Sequence, residues 1–480
     1  MRSIRLVFVS LAALLGWAAP APAQNEAPPA TPDSAVTAAD STVRVTAGVS
    51  TTERWSLEKC VATALQKNGD VRGAAARTVQ ARGAALRAWS GLLPSLSTDV
   101  SYTQIRPDKR SAVRGLADTD PNAPPDTLLL APQSRYYSIG GTADVSLFSV
   151  PALAEKRRQD LLLGGARQGE AETRNTVVFT VKQRYFELLK AARLAEVSRQ
   201  SEQLARDEET RSEALLRVGT VARGDLLKAR ARRAQTQLDR ISAENQVKVA
   251  RSRLAQVMGL PPGTPLDVDE LLDENVPMPD SASVIAAAIK NRPLLSQSAA
   301  AERAAKAGLF GARAARLPRL TGNLSVDRTK ITDRLELDPT PIEFDDTRYA
   351  TRWQGSLALS LPLFDGLAIE GNTRSAKGAL LEAEASRRQQ ELDVAVEVEQ
   401  AWLALHEAVQ RIDVSKDGLA SAEEDYKFSK GRYDLGAGTF LDLLNAEVSL
   451  EQARRSYVEA LADARVAEAD LERAIGERRY

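Results

Sequence analysis

Four short segments of the chain alternate apolar and polar residues, at about 95–104, 136–148, 320–328 and 351–363. In the last of them, leucines such as Leu359 and Leu361 are separated by small or polar residues such as Ser360. Alternation with a period of two predicts β-strands that have one apolar and one polar face. Such strands suit a membrane barrel with lipid on one side and water on the other, and they equally suit a half-buried soluble sheet.

Most of the remaining chain has the Ala-rich, charge-rich composition of long, closely packed helices. Each half of the chain is predicted to carry a short helix before its strands, then a very long helix, a Gly-containing turn and another short helix. The predicted helices are 56–91, 152–216 and 222–258 in the first half, and 284–316, 366–433 and 439–475 in the second. A helix of about 65 residues is roughly 98 Å long. It can therefore run beside two short helices stacked end to end, with the strands at one end and the turns at the other.

The chain is a duplicated unit. Gly219 recurs as Gly436, an offset of 436 − 219 = 217 residues, and Tyr185 recurs as Trp402 at the same offset. Other matches in the same order are Leu93–Leu96 with Leu317–Leu320, Val181–Tyr185 with Val398–Trp402, Asp225–Ala229 with Asp442–Ala446, and Met258–Gly259 with Ile475–Gly476. The period is too long for a solenoid repeat. It predicts two structural halves, 55–258 and 284–477, joined by a proline-rich middle segment, 259–283, that is not helical.

The first residues predict export. Residues 1–23 have the form of a signal peptide: two arginines, then the apolar run Leu6–Leu15, then the small-residue cleavage motif Ala21–Ala23. Residues 24–54 are rich in Ala, Pro, Thr and Ser and are predicted to form a flexible linker. No later stretch has the roughly 18 to 20 apolar residues of a membrane-spanning helix, so an inner-membrane protein is disfavoured.

Charge and residue usage exclude several functions. The chain has 64 basic and 64 acidic residues, and cleavage after residue 23 would remove two of the basic ones. This balance gives no electrostatic reason to expect nucleic-acid binding. Cys60 and His406 are the only cysteine and histidine, so no intrachain disulfide can form, and His-based catalysis or a Cys/His metal site is disfavoured. We therefore expect neither an enzyme nor a cofactor.

Four strands are too few to close a membrane barrel by themselves. Bare sheet edges are not tolerated in hydrocarbon, and single-chain barrels begin at about eight strands. If the strands lie in a membrane, other copies of the chain must complete the barrel, and two, three or four copies all satisfy this arithmetic. The polar segments that join each strand pair, about 105–135 and 328–350, are predicted to be exterior loops.

The order of these elements, repeated twice, resembles the TolC-like outer-membrane efflux family. The resemblance covers about residues 55–477 and also rests on the turn sequences Val218–Ala229 and Arg432–Ala446. The segment Leu361–Gly366, where a strand leads into a helix, is similarly typical. The family resemblance implies a mostly α fold with a small transmembrane β part. The protein would be a homotrimer with a twelve-stranded barrel in outer-membrane lipid and an α-helical tunnel in the periplasm.

The same resemblance implies a function and partners. The protein would be the outer-membrane channel of a tripartite efflux or type I secretion system, and it would conduct substrate passively. Its partners would be a periplasmic adaptor (membrane fusion) protein and an inner-membrane transporter. The rival predictions are a helical-hairpin adaptor or a structural coiled-coil protein of an export complex, and a periplasmic hydrolase. An adaptor would need β-rich segments flanking a single hairpin, and a hydrolase would need a nucleophile and base that the sequence does not offer.

The resemblance also implies roles for residues in the two turns, about 217–225 and 434–442. Asp442 matches an aspartate that lines the periplasmic aperture, and Asn445 stands where some members carry a second one. Asp225 and Tyr433 match residues of the latch between neighbouring helix pairs. Gly438 stands where some members carry a latch arginine. These differences leave the charge of the aperture and the closed-state latch open.

Local structure offers a second interpretation of the turn residues. Thr439 followed by Asp442 fits a capping box, so Asp442 either only caps its helix or both caps it and lines the pore. Gly219 and Gly436 are expected to end their helices in the left-handed conformation. That role is compatible with contact to an adaptor near these turns.

Overall fold

The structure is a computed structural model that describes residues 54–106, 133–269, 272–335 and 344–476. The predicted signal peptide and the linker up to residue 53 lie outside the described residues. The elements in chain order are α1 Leu57–Lys67, α2 Gly69–Arg87, a 3-10 turn Ala88–Gly91, β1 Ser95–Ile105, β2 Gln133–Phe148, α3 Val150–Arg217, α4 Arg223–Val257, α5 Ser281–Asn291, α6 Pro293–Ala314, β3 Arg319–Leu335, β4 Phe344–Ser360, α7 Ala368–Asp434 and α8 Phe440–Ile475.

The first helix of each half is broken, so the prediction of single helices over 56–91 and 284–316 is wrong. The breaks fall at Asn68 and Arg292, which have extended backbones with ψ of 136° and 118°. Arg292 precedes Pro293, and a residue before proline is disfavoured in the helical region. Asn68 instead caps α2, because its side-chain oxygen accepts hydrogen bonds from the N–H groups of Asp70, at 2.7 Å, and Val71, at 3.3 Å.

The second strand pair is longer than the sequence pattern predicts. β3 continues to Leu335 and β4 begins at Phe344, so much of the expected 328–350 loop is paired strand. Strand pairing depends on hydrogen bonds between backbone groups, so the β3–β4 pairing continues beyond the residues whose side chains alternate between apolar and polar. At the other end β4 stops at Ser360, and the residues 361–363 that were predicted as strand lie outside the ladder. Pro362 has no N–H to donate to such a ladder.

The four strands form one antiparallel sheet in the order β1-β2-β3-β4. The register places Val100 beside Ile139, Leu320 beside Leu359, and Arg319 beside Ser360. Most apolar residues of the four strands therefore share one face, and most polar residues share the other. In the described chain, β1 and β4 each pair on one side only, which leaves two open edges.

The long helix α3 connects the sheet to the first turn, with 68 residues between them. Near the sheet it packs against α2 and α6, where Gly165 allows a close approach to Ala300. Farther along it packs against α4 and α8. In the second half, α7 has 67 residues and packs against α6 and α8. The two turns therefore lie at the ends of the long helices that are remote from the sheet.

Each half has a hydrophobic cluster near the middle of its long helix. One is built around Val181 of α3, and the other around Val398 of α7. The repeat-equivalent aromatics beside them act alike. Tyr185 donates a hydrogen bond from its hydroxyl to the carbonyl of Asp269, and Trp402 donates from its ring nitrogen to the carbonyl of Pro279, both at 2.9 Å. The middle segment is non-helical over its described residues up to Asp280, and α5 begins at Ser281, three residues earlier than predicted. These hydrogen bonds fix the segment to both halves.

Candidate functional site

The two turns between paired helices have the same backbone geometry. Gly219 and Gly436 have φ of +77° and +71°, which confirms the predicted left-handed helix ends. The residue after each glycine donates its backbone N–H to a carbonyl in the last turn of the preceding helix. Thr220 donates to the carbonyl of Leu215 at 3.0 Å, and Ala437 donates to the carbonyl of Arg432 at 2.8 Å.

The helices that leave these turns begin differently. At the start of α8, the N–H of Asp442 donates to the Thr439 hydroxyl at 3.2 Å, and the N–H of Thr439 donates to the Asp442 carboxylate at 3.1 Å. This reciprocal pair confirms the predicted capping box. The hydrogen bonds from Thr439 lower the pKa of Asp442. At the start of α4, Ala222 occupies the position equivalent to Thr439, and its side chain cannot cap the helix. The Asp225 carboxylate, in the position equivalent to Asp442, lies 3.6 Å from the Lys228 ammonium.

Asp442 and Asn445 share the exposed face at the start of α8. They are three residues apart, so their side chains are neighbours on the helix surface, and both are exposed in the single chain. Leu443 and Ala446, between and beside them, are buried. The capping role therefore leaves this polar face available to solvent or to another copy of the chain.

Tyr433 is packed between the two hairpins. Its ring meets the ring of Phe440 edge to face, with 5.8 Å between centroids, and the Arg211 guanidinium lies 5.6 Å from its centroid. Burial raises the pKa of the Tyr433 hydroxyl, and the nearby carboxylates of Glu208 and Asp225 raise it further. No hydrogen bond joins Tyr433 to Asp225 among the described residues, although these two predicted latch residues come close enough to interact electrostatically.

Gly438 is constrained by its surroundings. A β-carbon at this position would lie 3.1 Å from the Arg432 β-carbon and 3.2 Å from the Tyr433 backbone nitrogen. Both distances are shorter than ordinary packing contacts. A side chain there, including the arginine expected in some relatives, would force the turn to shift.

A pair of buried carboxylates lies near the turns, and the sequence analysis missed it. Glu208 of α3 and Glu447 of α8 are 7% and 8% exposed, and each has one carboxylate oxygen without a hydrogen-bond partner. Burial and the charge of Glu208 raise the pKa of Glu447 to about 7, while Arg232 and Lys430 act in the opposite direction. A signal was present in the sequence, because Glu447 interrupts the apolar spacing of Leu443, Ala446 and Leu450.

Ion pairs join the two hairpins around this pair of carboxylates. Arg211 of α3 pairs with Asp434 at the end of α7. Arg232 of α4 pairs with Glu451 of α8 at 2.6 Å, and both side chains are largely buried. The turns of the two halves therefore form one unit rather than two independent hairpins.

Two kinds of feature are absent from the described residues. Over 54–106, 133–269, 272–335 and 344–476, none of the helices has an apolar stretch of the length that a membrane span requires. In the same part of the chain, no group of three or more His, Cys, Asp or Glu side chains is placed to hold a metal ion.

Comparison with known proteins identifies the class to which this fold belongs. A solved structure of the outer-membrane channel OprN has a TM-score of 0.71 and 20% identity, and the match covers 88% of this chain and 89% of that one. The family model "Outer membrane efflux protein" matches residues 60–260 and 284–477. The chain belongs to the outer membrane efflux protein family, and it is an outer-membrane protein.

Two similar proteins illustrate the range of the family. The chain is 26% identical to the outer membrane efflux protein BepC of Brucella suis biovar 1 over 189 residues, which is 39% of each protein. It is 22% identical to the outer membrane protein TolC of Escherichia coli over 305 residues, which is 63% of this chain and 61% of TolC. The chain thus spans between 39% and 61% of the length of these relatives.

Proposed function

We propose that this protein is the outer-membrane channel of an efflux or type I secretion system and that it conducts substrate passively as a homotrimer. The observation that carries the proposal is the four-stranded sheet. Its apolar face is bare in the single chain, where Val100, Leu357 and Leu359 are 77%, 74% and 71% exposed. Apolar residues this exposed indicate a surface that lipid or another protein covers.

The two open edges of the sheet support assembly. An edge strand in hydrocarbon leaves backbone groups unpaired, at a cost of several kcal/mol for each group. Pairing β4 of one copy with β1 of the next satisfies them, and the ring closes when enough copies have joined. Three copies give twelve strands, the number that the family resemblance implies. The apolar face would then meet lipid, and the polar face would line a water-filled lumen.

The proposed function also assigns roles to the residues of the two turns. Asp442 and Asn445, on the exposed face of α8, would line the periplasmic aperture. Asp225 and Tyr433 would form the latch. Gly219, Gly436, Gly438 and Thr439 shape the turns that a periplasmic adaptor would contact. The family match and the absence of a catalytic constellation from the sequence support a channel that works with an adaptor and an inner-membrane transporter, and not an enzyme.

Crosslinking between sheet edges tests the assembly. We suggest a cysteine at Ser101 in β1 combined, one at a time, with cysteines along β4 such as Ser356→Cys. One pairing register should give an intersubunit disulfide, and the bands should stop at three subunits. The native Cys60 is buried, so it provides little background. Bands that continue beyond three, or no intersubunit band with any partner, would contradict the proposal.

A further inference from the structure

The apolar face of the sheet changes character toward the loops that join the strands. Its residues run in rows across the strands, and the last three rows that cross all four strands are Val100–Ile139–Arg328–Thr351, Tyr102–Tyr137–Lys330–Tyr349 and Gln104–Arg135–Thr332–Thr347. One further row toward the loops, Gln133–Arg334–Asp345, crosses only β2, β3 and β4. The rows nearer the helices are dominated by aliphatic side chains such as Leu324 and Leu357. Cations therefore appear on this face only at its loop end.

The tyrosines and cations of these rows are packed together. The rings of Tyr102 and Tyr137 have centroids 4.8 Å apart. The Arg328 guanidinium lies 5.4 Å from the Tyr349 ring centroid, and the register places Lys330 between Tyr137 and Tyr349. Aromatic residues that end an apolar band are typical of the boundary between hydrocarbon and headgroups.

Charge is segregated between the two faces of the sheet. Among the strand residues whose side chains the structure describes, all five aspartates lie on the opposite, polar face: Asp99, Asp144, Asp327, Asp333 and Asp346. The Arg348 guanidinium is paired there with Asp333 at 3.0 Å. Within the described part of the chain, Arg135 and Lys330 form no ion pair with a carboxylate. Their charge is thus available on the face that the proposed function turns toward lipid.

The position of these cations along the strands indicates which kind of ligand they can reach. Two residues of strand advance about 6.7 Å, so Lys330 and Arg135 lie one and two steps beyond the row of Val100, Ile139 and Arg328, which is the last row with aliphatic side chains. That is the depth of headgroups, where Lys and Arg attract anionic groups. The loops mark the end of the sheet opposite the helices, which is the exterior leaflet if the helices extend into the periplasm.

We propose that Arg135, Arg328 and Lys330, here called the cationic rim, bind the phosphate groups of a phosphorylated glycolipid in the exterior leaflet of the outer membrane. The tyrosines of the same rows pack against its sugar and acyl boundary. Each copy of the chain contributes one rim, so a trimer carries three equivalent sites. This inference rests on the proposed function, because it requires the apolar face to be the lipid face.

The test is a titration of the detergent-purified oligomer with bis-phosphorylated lipid A, followed by native mass spectrometry, with fully dephosphorylated lipid A and phosphatidylglycerol as parallel probes. The rim variant is Arg135→Gln with Lys330→Gln. Its matched control is Arg348→Gln with Arg352→Gln, which also removes two charges but from the polar face. The register places Arg352 directly beside Asp327. Asp327 is next to Arg328 in the chain, so Arg352 lies close to the cationic rim but on the opposite, polar face of the sheet.

We expect the wild type to bind the phosphorylated form at least tenfold more tightly than the dephosphorylated one. The rim variant should bind it about five- to tenfold more weakly, and the control should match the wild type. Equal binding of both lipid A forms, equal loss in rim variant and control, or equally tight binding of phosphatidylglycerol would overturn the inference. Conductance of the same preparations separates the two proposals: a conducting trimer without the lipid preference refutes the rim alone, whereas a failure to assemble or conduct refutes the channel.

Discussion

Asn68 and Arg292 make the same contact in the two halves of the chain. Asn68 donates from its amide to the carbonyl of Val257 at 2.8 Å, and Arg292 donates from its guanidinium to the carbonyl of Ala474 at 2.8 Å. Val257 and Ala474 are themselves 217 residues apart and lie at the ends of α4 and α8. Each helix break therefore provides a side chain that caps the second short helix of its own half.

Arg292 should be the more costly of the two to replace. It is 3% exposed and also pairs with Glu172 and Glu397, each at 3.0 Å. Arg292→Met should lower the free energy of unfolding by about 2–4 kcal/mol, because it leaves helix-end carbonyls and the Glu172 carboxylate without their donor, whereas Glu397 keeps its pair with Arg473. The measurement is the midpoint of urea-induced dissociation, with Lys290→Met, at an exposed position nearby, as the control. Equal midpoints for the two variants would show that the capping contact contributes nothing.

The two helix breaks differ in what the sequence could show. Pro293 lies nine residues inside the predicted helix 284–316, so it was a local signal for the break at Arg292 that the prediction of one helix did not use. The Asn68 break depends on a carbonyl 189 residues away, which no local pattern contains. Features that are decided locally were predicted correctly: the left-handed Gly219 and Gly436, the Thr439 capping box and the alternating strands. Features that are decided by tertiary contact, such as the extension of β3 and the burial of Glu208, were not.

Leu359→Arg should impair assembly more than Ser360→Arg. The register places Leu359 beside Leu320 on the apolar face and Ser360 beside Arg319 on the polar face. An arginine facing mid-bilayer lipid costs roughly 2–4 kcal/mol, and one in a water-filled lumen costs far less. The yield of folded oligomer in the outer-membrane fraction measures the difference. Similar losses for both substitutions would mean that the apolar face is not the lipid face.

The junction between the hairpins should loosen as the pH rises. Glu447 has its pKa raised from 4.5 to about 7, so the folded junction holds a proton that an exposed glutamate releases. The stability that this proton confers is complete below about 4.5 and is lost as the pH rises through about 7. The effect is on the order of 2 kcal/mol. Hydrogen exchange of the segments around Glu208 and Glu447, corrected for intrinsic rates, should therefore accelerate about tenfold or more between pH 5 and 8.

Glu447→Gln provides the control for this pH dependence. The amide keeps the shape of the protonated acid and cannot ionise, so exchange near the turns should become nearly independent of pH. Glu244→Gln, which removes a partly exposed carboxylate paired with Arg199 and Arg240, should leave the pH profile unchanged. A wild-type profile in Glu447→Gln would place the titrating group elsewhere.

Asp442 should bind divalent cations at the aperture in addition to capping its helix. Three copies near one axis would create a negative potential that attracts cations. Asp442→Ala should weaken divalent-cation block of single-channel current by about tenfold or more. Thr439→Ala removes the other half of the capping box without changing charge, so it should reduce stability by about 1 kcal/mol and leave the block nearly intact. Wild-type block in Asp442→Ala and Asp442→Asn would restrict Asp442 to capping.

The central claim is that the chain conducts only as a closed assembly of copies. The most direct measurement separates the detergent-purified protein by mass into one-copy and three-copy fractions and records the current of each in a planar bilayer. We predict discrete, long-lived channels from the three-copy fraction and none from the one-copy fraction, because a single four-stranded sheet has two open edges. Channels from the one-copy fraction, or a three-copy fraction that stays silent, would contradict the account.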